Sequence, residues 1–320
     1  MPEQQFKKIF IFLDTDKHAS PFDILATTDI FPEAMILKYE SVMAEDVEPI
    51  VYDAMFPRGP EGAKHTKIFI NGRDLKTVND VLERAAKCMF PPFELAIIVD
   101  PRGAYTTASA AVAKTLQFSI IKGSETLEGK TIAILAGTGP VGQTAARLYA
   151  SEKASVIITS RDLQKAVSLA TRINEELKDE RVQGVKAQTA EETGKATGQA
   201  EIVLSAGAAG TQILSLNLLK NYAKKCRVVA DINAIPPLGV EGLEADADGK
   251  EILPRAFGIG ALAIGKLKNQ VEMELIKKAT IEPKGIFDYK IAYAIAKKSV
   301  LEKTKEKRKA TAETPKHWLP

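Results

Sequence analysis

The sequence has few of the residues that most often form disulfides, bind metals or act as catalytic bases. Its 320 residues include two cysteines, three histidines and one tryptophan. Cys88 and Cys226 have no partner at C-x-x-C spacing, so a disulfide framework or a structural zinc site is not expected, and a reducing cytoplasm fits best. No Cys/His pair, Ser/His/Asp trio or set of metal ligands stands out. The expected protein therefore has no metal site.

Long apolar runs and a strong charge of one sign are also absent. No run approaches the roughly 18–20 residues that cross a bilayer, and the apolar run at 9–13 is too short for a signal peptide. Basic and acidic residues number 44 and 41, which gives a net charge of +3. Because the excess lies in the segment 303–309, the rest of the chain is close to neutral. We expect a soluble cytoplasmic protein with no membrane or nucleic-acid partner.

Short apolar runs alternate with helical patterns along the whole chain. The first part predicts strands at 8–13, 67–70 and 95–99, and helices at 74–89 and 108–116. The second part predicts strands at 131–136, 156–159, 185–188, 202–205 and 227–230, with a helix at 163–177. Continuous apolar strands that alternate with helices indicate a parallel sheet covered on both faces.

The fold class that this pattern predicts is two α/β domains. The second is a Rossmann-type doubly wound parallel sheet, and C-terminal helices pack back toward the first domain. The predicted boundaries are a substrate domain at 1–125, a dinucleotide-binding domain at 126–270, C-terminal helices at 271–300 and a basic tail at 301–320.

The strongest local motif is the glycine-rich sequence GTGPVG at 137–142, which follows an apolar strand and opens a helix. Gly137 permits a tight turn, Gly139 lets the backbone approach a pyrophosphate, and Gly142 lets the helix pack on its strand. Pro140 falls at the first helical position, where its missing N–H is harmless. The motif predicts a dinucleotide site, and the alternative is a glycine-rich turn with no ligand.

The end of the next strand indicates which dinucleotide is bound. A ribose 2′-hydroxyl usually meets an acidic residue there, whereas a 2′-phosphate requires arginine. The strand ends in Ser160 and Arg161, with Lys165 one helical turn later, and this set favours NADP over NAD. The alternatives are a solvated surface arginine at Arg161 and a helix-capping role for Asp162.

A general base is hard to identify in this sequence. His18 lies in a polar loop after the first strand, and its alternative is a surface histidine. A hydride that leaves a carbon flanked by nitrogens produces a delocalised cation, so such an enzyme needs positioning and electrostatics in place of a base. Polar segments at 100–107 and 230–239 follow predicted strand ends, where a parallel sheet forms its crevice.

Together these segments resemble the NADP-dependent methylene-tetrahydromethanopterin dehydrogenases of C1-metabolising bacteria. The resemblance covers roughly residues 8–298. Its motifs are FLDTD at 12–16, SPFD at 20–23, GAYTT at 103–107, LAGTGPVG at 135–142, DINAIPPLG at 231–239, RAF at 255–257, GALAIGKLK at 260–268 and GIFD at 285–288. Arg102 and Tyr105 stand where smaller polar residues are usual in that family.

The resemblance implies a homo-oligomer, a trimer or a hexamer, that binds NADP on the Rossmann domain and a pterin in the cleft between its domains. It implies hydride transfer between methylene-tetrahydromethanopterin and NADP, with Lys268 as the catalytic lysine. The implied substrate-binding residues are Phe22, Asp23, Thr106 and Thr107. The implied cofactor-binding residues are Gly137, Thr138, Gly139, Pro140, Val141, Gly142, Ser160, Arg161, Lys165, Ala206 and Asn233.

Two other functional classes stay open at this point. One is a related dehydrogenase that acts on methylene-tetrahydrofolate or on a shikimate-type alcohol, or that uses NAD. The other is a non-catalytic protein that senses a dinucleotide and switches a partner.

Overall fold

The chain divides into two compact units, and each contains a sheet built mainly of parallel strands. The computed structural model describes residues 6–121 and 126–313. The first unit comprises the chain up to Thr106 together with Asn269–Ala292, and the second comprises Thr107–Lys268 together with the chain from Tyr293.

A five-stranded parallel sheet forms the first unit. Its strands are β1 (Ile9–Asp14), β2 (Met35–Tyr39), β3 (Thr66–Asn71), β4 (Ala96–Val99) and β12 (Gly285–Phe287), in the spatial order β2-β1-β3-β4-β12. The helices that lie wholly in this unit are α1 (Pro21–Ile30), α2 (Val47–Met55), α3 (Gly59–Ala63) and α4 (Leu75–Lys87). Short 3₁₀ turns occur at Ala44–Asp46, Phe56–Arg58 and Pro101–Gly103. When the five strands are numbered in chain order, their spatial order is 2-1-3-4-5. The direction in which successive strands are added to the sheet reverses between β1 and β3.

A seven-stranded sheet forms the second unit. Its strands are β5 (Thr131–Leu135), β6 (Ser155–Ser160), β7 (Val182–Lys186), β8 (Ile202–Ser205), β9 (Val228–Asp231), β10 (Asp248–Leu253) and β11 (Ala256–Ile259). The spatial order is β10-β11-β9-β8-β5-β6-β7, and the β10–β11 pair alone is antiparallel within this sheet. When the six parallel strands are numbered in chain order, their spatial order is 3-2-1-4-5-6, the order of dinucleotide-binding folds. The direction in which successive strands are added reverses between β5 and β8.

Helices connect these strands. Those within the second unit are α6 (Pro140–Ser151), α7 (Leu163–Leu177), α8 (Ala190–Thr197) and α9 (Leu216–Tyr222). Three more contribute residues to both units: α5 (Ala104–Ile121), α10 (Ala261–Ile281) and α11 (Tyr289–Glu313). The central strands are almost wholly buried; Ile132–Leu135 and Ile202–Leu204, for example, are at most 1% exposed.

The predicted fold class is confirmed, and several individual elements differ from the prediction. The sequence patterns did not indicate β2, β10, β11 or β12, because these strands are short, lie at sheet edges or carry mixed polar side chains. The last helix runs on to Glu313, since no proline or glycine interrupts it after the predicted end near residue 301. Among the described residues, no helix is both long and apolar enough to span a membrane.

Candidate functional site

The glycine loop joins β5 to α6 at the point where the second sheet reverses direction. The Gly137 N–H donates to the Thr159 carbonyl at 2.9 Å, and the Gln143 side chain donates to the Thr138 carbonyl at 2.8 Å. A Cβ added to Gly142 would lie 2.5 Å from the Gly137 carbonyl oxygen. The close approach of the helix to the loop therefore requires glycine at 142, as the motif predicted.

Gly139 is glycine for a different reason. A Cβ added there would meet no protein atom within 4 Å, so packing in this chain does not demand glycine at this position. Gly139 is also the N-cap of α6, and no side chain of the described residues caps that helix, whereas Asp162 caps α7 through the Lys165 N–H. Open space beside uncapped N–H groups at a positive helix end fits a bound phosphate group.

A cleft of about 630 Å³ opens beside this loop within the second unit. Its walls come from the segments that follow β5, β6, β7 and β8. The lining residues are Ala136, Thr138, Thr159, Ser160, Arg161, Asp162, Lys165, Ala187, Gln188, Thr189, Ala190, Thr193, Gly207, Ala208, Thr211, Gln212, Ile213, Ser215 and Leu218. The cleft is thus at the carboxyl ends of the strands, where open α/β sheets bind their ligands.

Two cations on the cleft wall have no counter-ion in the part of the chain that the structure describes. Arg161 and Lys165 are both exposed, and within residues 6–121 and 126–313 neither the guanidinium nor the ammonium group makes a hydrogen bond or ion pair. Ser160 is buried beside them and accepts a hydrogen bond from the Asp162 N–H at 3.2 Å. The capping role that the sequence suggested for Asp162 is confirmed, because its carboxylate accepts from the Lys165 N–H at 3.2 Å.

Ala206 and Asn233 lie near the same sheet edge but are not among the residues that line the cleft. The Ala206 N–H donates to the Leu135 carbonyl at 3.0 Å. The Asn233 amide accepts from the Gly210 and Ile235 N–H groups and donates to the Pro237 carbonyl at 3.0 Å. Its side chain therefore organises the surrounding loops.

Asp231 anchors the same loops from inside the unit. It is 1% exposed, and burial raises the pKa of its carboxyl, although hydrogen bonds from the Asn233 and Val240 N–H groups act in the opposite direction. A Cβ on Gly239 would lie 2.4 Å from the Ser205 hydroxyl and 2.6 Å from the Asp231 carboxylate. The polar segment 230–239 thus has a substantial structural role.

The first unit carries a second polar cluster at the carboxyl edge of its own sheet. Arg102 Nε donates to Asp16 at 2.8 Å, and its Nη2 contacts Asp14, Asp16 and the His18 carbonyl. Burial raises the pKa of the Asp14 carboxyl, while N–H donors at Asp16 and Ser20 and the Arg102 charge act in the opposite direction. The His18 side chain is exposed, which agrees with the surface interpretation.

Asp23, a predicted substrate residue, lies at this edge. It is in the first turn of α1, is 1% exposed, and accepts a 2.5 Å hydrogen bond from the Asn71 side chain at the end of β3. Phe22 precedes it and is 53% exposed. A buried carboxylate beside an exposed aromatic ring lies at the point where this sheet reverses direction, a position that commonly binds ligands.

Thr106 and Thr107 lie in the first turn of α5, after β4. The Thr106 hydroxyl donates to the Asp100 carboxylate at 2.6 Å, and the Tyr105 and Thr106 N–H groups also donate to Asp100. Thr106 is fully buried by these contacts, whereas Thr107 is partly exposed. Lys268 lies on α10 and is 8% exposed.

The structure brings the predicted residues together in groups. Within the second unit, the glycine loop lies beside Ser160, Arg161 and Lys165. Within the first unit, Asp23 and Thr106 lie at one sheet edge. The sequence did not identify Asn71 as a site residue, nor the cleft-lining residues Thr159, Gln188, Thr193, Gly207 and Gln212. Each lies near the carboxyl end of a strand or in the segment that follows it, and this position is the signal that could have indicated them.

The fold and the cleft together indicate the class of protein to which this chain belongs. A 3-2-1-4-5-6 sheet is typical of a dinucleotide-binding α/β oxidoreductase when, as here among the residues described, the glycine loop at its reversal point is uncapped and the cations beside it are unpaired. Among the described residues, no group of three or more His, Cys, Asp or Glu side chains is placed to hold a metal ion.

Comparison with known proteins narrows the class. Residues 21–102 match the family model "Methylene-tetrahydromethanopterin dehydrogenase, N-terminal", and residues 120–241 match "Shikimate / quinate 5-dehydrogenase". The NAD(P)-dependent methylenetetrahydromethanopterin dehydrogenase of Methylorubrum extorquens is 33% identical over 91% of this chain and 98% of its own. The "Bifunctional protein MdtA" of the same organism is 35% identical over the same shares of the two chains. The chain belongs to the methylene-tetrahydromethanopterin dehydrogenase family.

A solved structure shares the fold at much lower identity. Quinate dehydrogenase from Corynebacterium glutamicum, solved in complex with NAD, aligns with a TM-score of 0.50 and 12% identity over 91% of this chain and 99% of its own. This likeness supports the two-sheet α/β architecture.

Proposed function

We propose that this protein transfers a hydride between the methylene carbon of methylene-tetrahydromethanopterin and NADP, giving the methenyl form of the pterin. The observation that carries this function is the match to a named NAD(P)-dependent dehydrogenase along 91% of the chain. The retained glycine loop and its cleft support an active dehydrogenase over a protein that only senses a dinucleotide, since the pterin-dehydrogenase match also covers the first unit.

The second unit is proposed to bind the cofactor. The N-terminus of α6 at Gly139 receives the pyrophosphate, and Ser160, Arg161 and Lys165 receive the 2′-phosphate. When bound, NADP supplies the nicotinamide carbon that accepts the hydride. Arg161 and Lys165 are suited to this role because forming the phosphate contact breaks no ion pair with any residue that the structure describes. NAD is the second choice, since it lacks the group that these cations would neutralise.

The first unit is proposed to bind the pterin. A carboxylate can accept two N–H groups from the aminopyrimidinone edge of a pterin, which is the role assigned to Asp23. The exposed ring of Phe22 offers an apolar face to the bicyclic ring system. Thr107 supplies a partly exposed hydroxyl, while Thr106, held by Asp100, fixes the start of α5.

The reaction needs no general base. The methylene carbon lies between two nitrogens, and loss of hydride leaves a cation that is delocalised over them. The protein then has to hold the pterin with its reacting carbon facing the cofactor and exclude water. Lys268 is proposed to orient the pterin and to tune the charge near the reacting carbon.

The expected homo-oligomer, a trimer or a hexamer in the cytoplasm, is also part of the proposal. The edge strand β2 supports it, because Met35, Leu37 and Tyr39 are each at least 40% exposed on a strand with an unpaired outer edge. The molar mass in solution, measured by light scattering after gel filtration, distinguishes a monomer from either oligomer.

One assay tests the function directly. Purified protein is mixed with NADP or NAD and with either methylene-tetrahydromethanopterin or methylene-tetrahydrofolate, and NAD(P)H absorbance is followed. We expect the fastest reduction with NADP and the methanopterin substrate. Absence of reduction with both pterins would refute the proposed reaction, and faster reduction with the folate would reassign the substrate.

A further inference from the structure

Gln143 connects the glycine loop to the two helices that follow it. It is the fourth residue of α6, and its backbone N–H donates to the Gly139 carbonyl at 2.9 Å. Its side-chain Nε2 donates to the Thr138 carbonyl at 2.8 Å, and its Oε1 accepts from Nη2 of Arg172 on α7 at 3.0 Å. One side-chain amide thus joins the loop to α7.

These contacts favour one orientation of the amide. If the group were rotated by half a turn, its NH₂ would face the Arg172 guanidinium and its oxygen would face the Thr138 carbonyl, so like groups would meet at both ends. Arg172 Nε lies 3.9 Å from the Glu176 carboxylate, which in turn pairs with Arg147 of α6 at 2.7 Å. The ion pairs between α6 and α7 therefore keep the Gln143 donor directed at the glycine loop.

The bond from Gln143 fixes the peptide unit between Thr138 and Gly139. This peptide is trans, so its carbonyl and its N–H point in opposite directions. Because the Thr138 carbonyl is turned toward Gln143, the Gly139 N–H is turned away from it. Within residues 6–121 and 126–313, no acceptor meets the Gly139 N–H. The direction of this N–H is thus set by the protein, and the group is available to a ligand.

Gln143 acts from behind the loop. Thr138 lines the cleft of the second unit, whereas Gln143 is not among the lining residues. A side chain in that position influences a ligand through the residues that touch it, and the Thr138–Gly139 peptide is the connection that the hydrogen bond provides.

We propose that Gln143 is a positioning residue that orients the Gly139 N–H toward the pyrophosphate of the bound dinucleotide. This role rests on the proposed function, in which the N-terminus of α6 receives that group. An N–H whose direction is fixed before binding loses little conformational freedom when it contacts an anionic oxygen, so the contact contributes more to affinity. Because NADP and NAD share the pyrophosphate, Gln143 contributes equally to the binding of both.

The substitution Gln143→Met tests this role, since methionine is similar in length and uncharged but cannot donate to the Thr138 carbonyl. We expect the Kd for NADP and the Kd for NAD to rise by the same factor, about 5- to 10-fold. The Kd for 2′-AMP should stay within about twofold, because this ligand carries the 2′-phosphate but no pyrophosphate. Isothermal titration calorimetry measures all three constants on the full chain and requires no pterin.

Gln199→Met is the matched control. Gln199 is exposed, and its Oε1 also accepts from a cation, Lys225 Nζ, at 2.8 Å. It precedes β8 and so lies at the amino-terminal edge of the same sheet, away from the glycine loop. We expect this variant to match wild type for all three ligands.

The pattern of losses decides between the possible roles of Gln143. Equal losses for 2′-AMP, NADP and NAD would indicate a general disturbance of the unit, and unchanged affinities would indicate no role. Either result overturns the proposal, as does a loss confined to NADP. If wild type binds neither dinucleotide, the proposed function fails and the role of Gln143 fails with it. If wild type binds both and the variant shows no selective loss, the role of Gln143 alone fails.

A measurement on the wild-type protein needs no folded variant. In ¹⁵N-labelled protein, the Gln143 side-chain N–H that bonds Thr138 should exchange with solvent more slowly than the side-chain N–H groups of the exposed Gln199. The backbone N–H resonance of Gly139 should shift when NADP is added. A Gln143 amide that exchanges as fast as that of Gln199, or a Gly139 N–H that bound NADP leaves unmoved, overturns the proposal.

Discussion

Arg161→Ala is expected to separate the two nicotinamide cofactors. The guanidinium is exposed on the cleft wall and has no partner among the described residues, so its removal breaks no internal contact. A charge-assisted hydrogen bond to a phosphate contributes about 2 kcal/mol, which corresponds to roughly 30-fold in affinity. We expect the KM for NADP to rise by about that factor and the KM for NAD to stay within twofold.

The assay measures kcat/KM with each cofactor at saturating pterin, together with thermal unfolding. Because the changed residue is exposed and makes no pair within residues 6–121 and 126–313, the free energy of unfolding should shift by less than about 0.5 kcal/mol. Arg227→Ala is the matched control, since Arg227 is also exposed but precedes β9 at the opposite edge of the sheet. The loss for NADP should also diminish at high salt. Equal losses for NADP and NAD would refute the assignment of the 2′-phosphate site.

Three further outcomes follow from the structure. Gly139→Ala should unfold at the wild-type temperature without cofactor but should no longer be stabilised by NADP. Gly142→Ala should lose about 1–3 kcal/mol of unfolding free energy, because its Cβ would lie 2.5 Å from a backbone oxygen. Lys268→Ala should lower turnover with the pterin and leave NADP affinity unchanged; near-normal kinetics would reject its proposed role. Burial lowers the pKa of Lys67 from 10.5 to about 8, so the unfolded chain binds more protons between these values. The free energy of unfolding of wild type should therefore increase from pH 8 to 10 relative to that of Lys67→Met, by at most about 1 kcal/mol per pH unit. If the two proteins show the same dependence of unfolding free energy on pH, the lowered pKa of Lys67 is contradicted.

The glycine loop and the segments around it were largely predictable because their signals are local. The strand, the glycine loop and the helix are contiguous from Thr131 to Ser151, and Arg161 follows the neighbouring strand directly. Each glycine had a physical reason that could be stated from spacing alone. The structure shows that the two positions differ: packing requires glycine at Gly142, whereas Gly139 faces open space.

The polar cluster of the first unit could not be predicted in the same way. Asn71 lies 48 residues from Asp23 and 31 from Arg102, so no local pattern connects the three. The edge strand β2 was missed because it has only five residues, with Lys38 among them, and no alternation of apolar and polar residues. Long-range pairing and edge position are properties of the whole sheet, and a single sequence carries little signal for them.

The position of β12 in the chain has a consequence for biosynthesis. This strand is synthesised after all seven strands of the second unit, yet it pairs with β4 and completes the first sheet. Until residues 285–287 leave the ribosome, β4, whose four residues are all fully buried in the finished protein, has an open edge of unpaired backbone groups. The nascent first unit is thus open to misassembly while the sheet of the second unit is being translated. A chain truncated before Gly285 should aggregate in the cell even if it retains an intact dinucleotide fold.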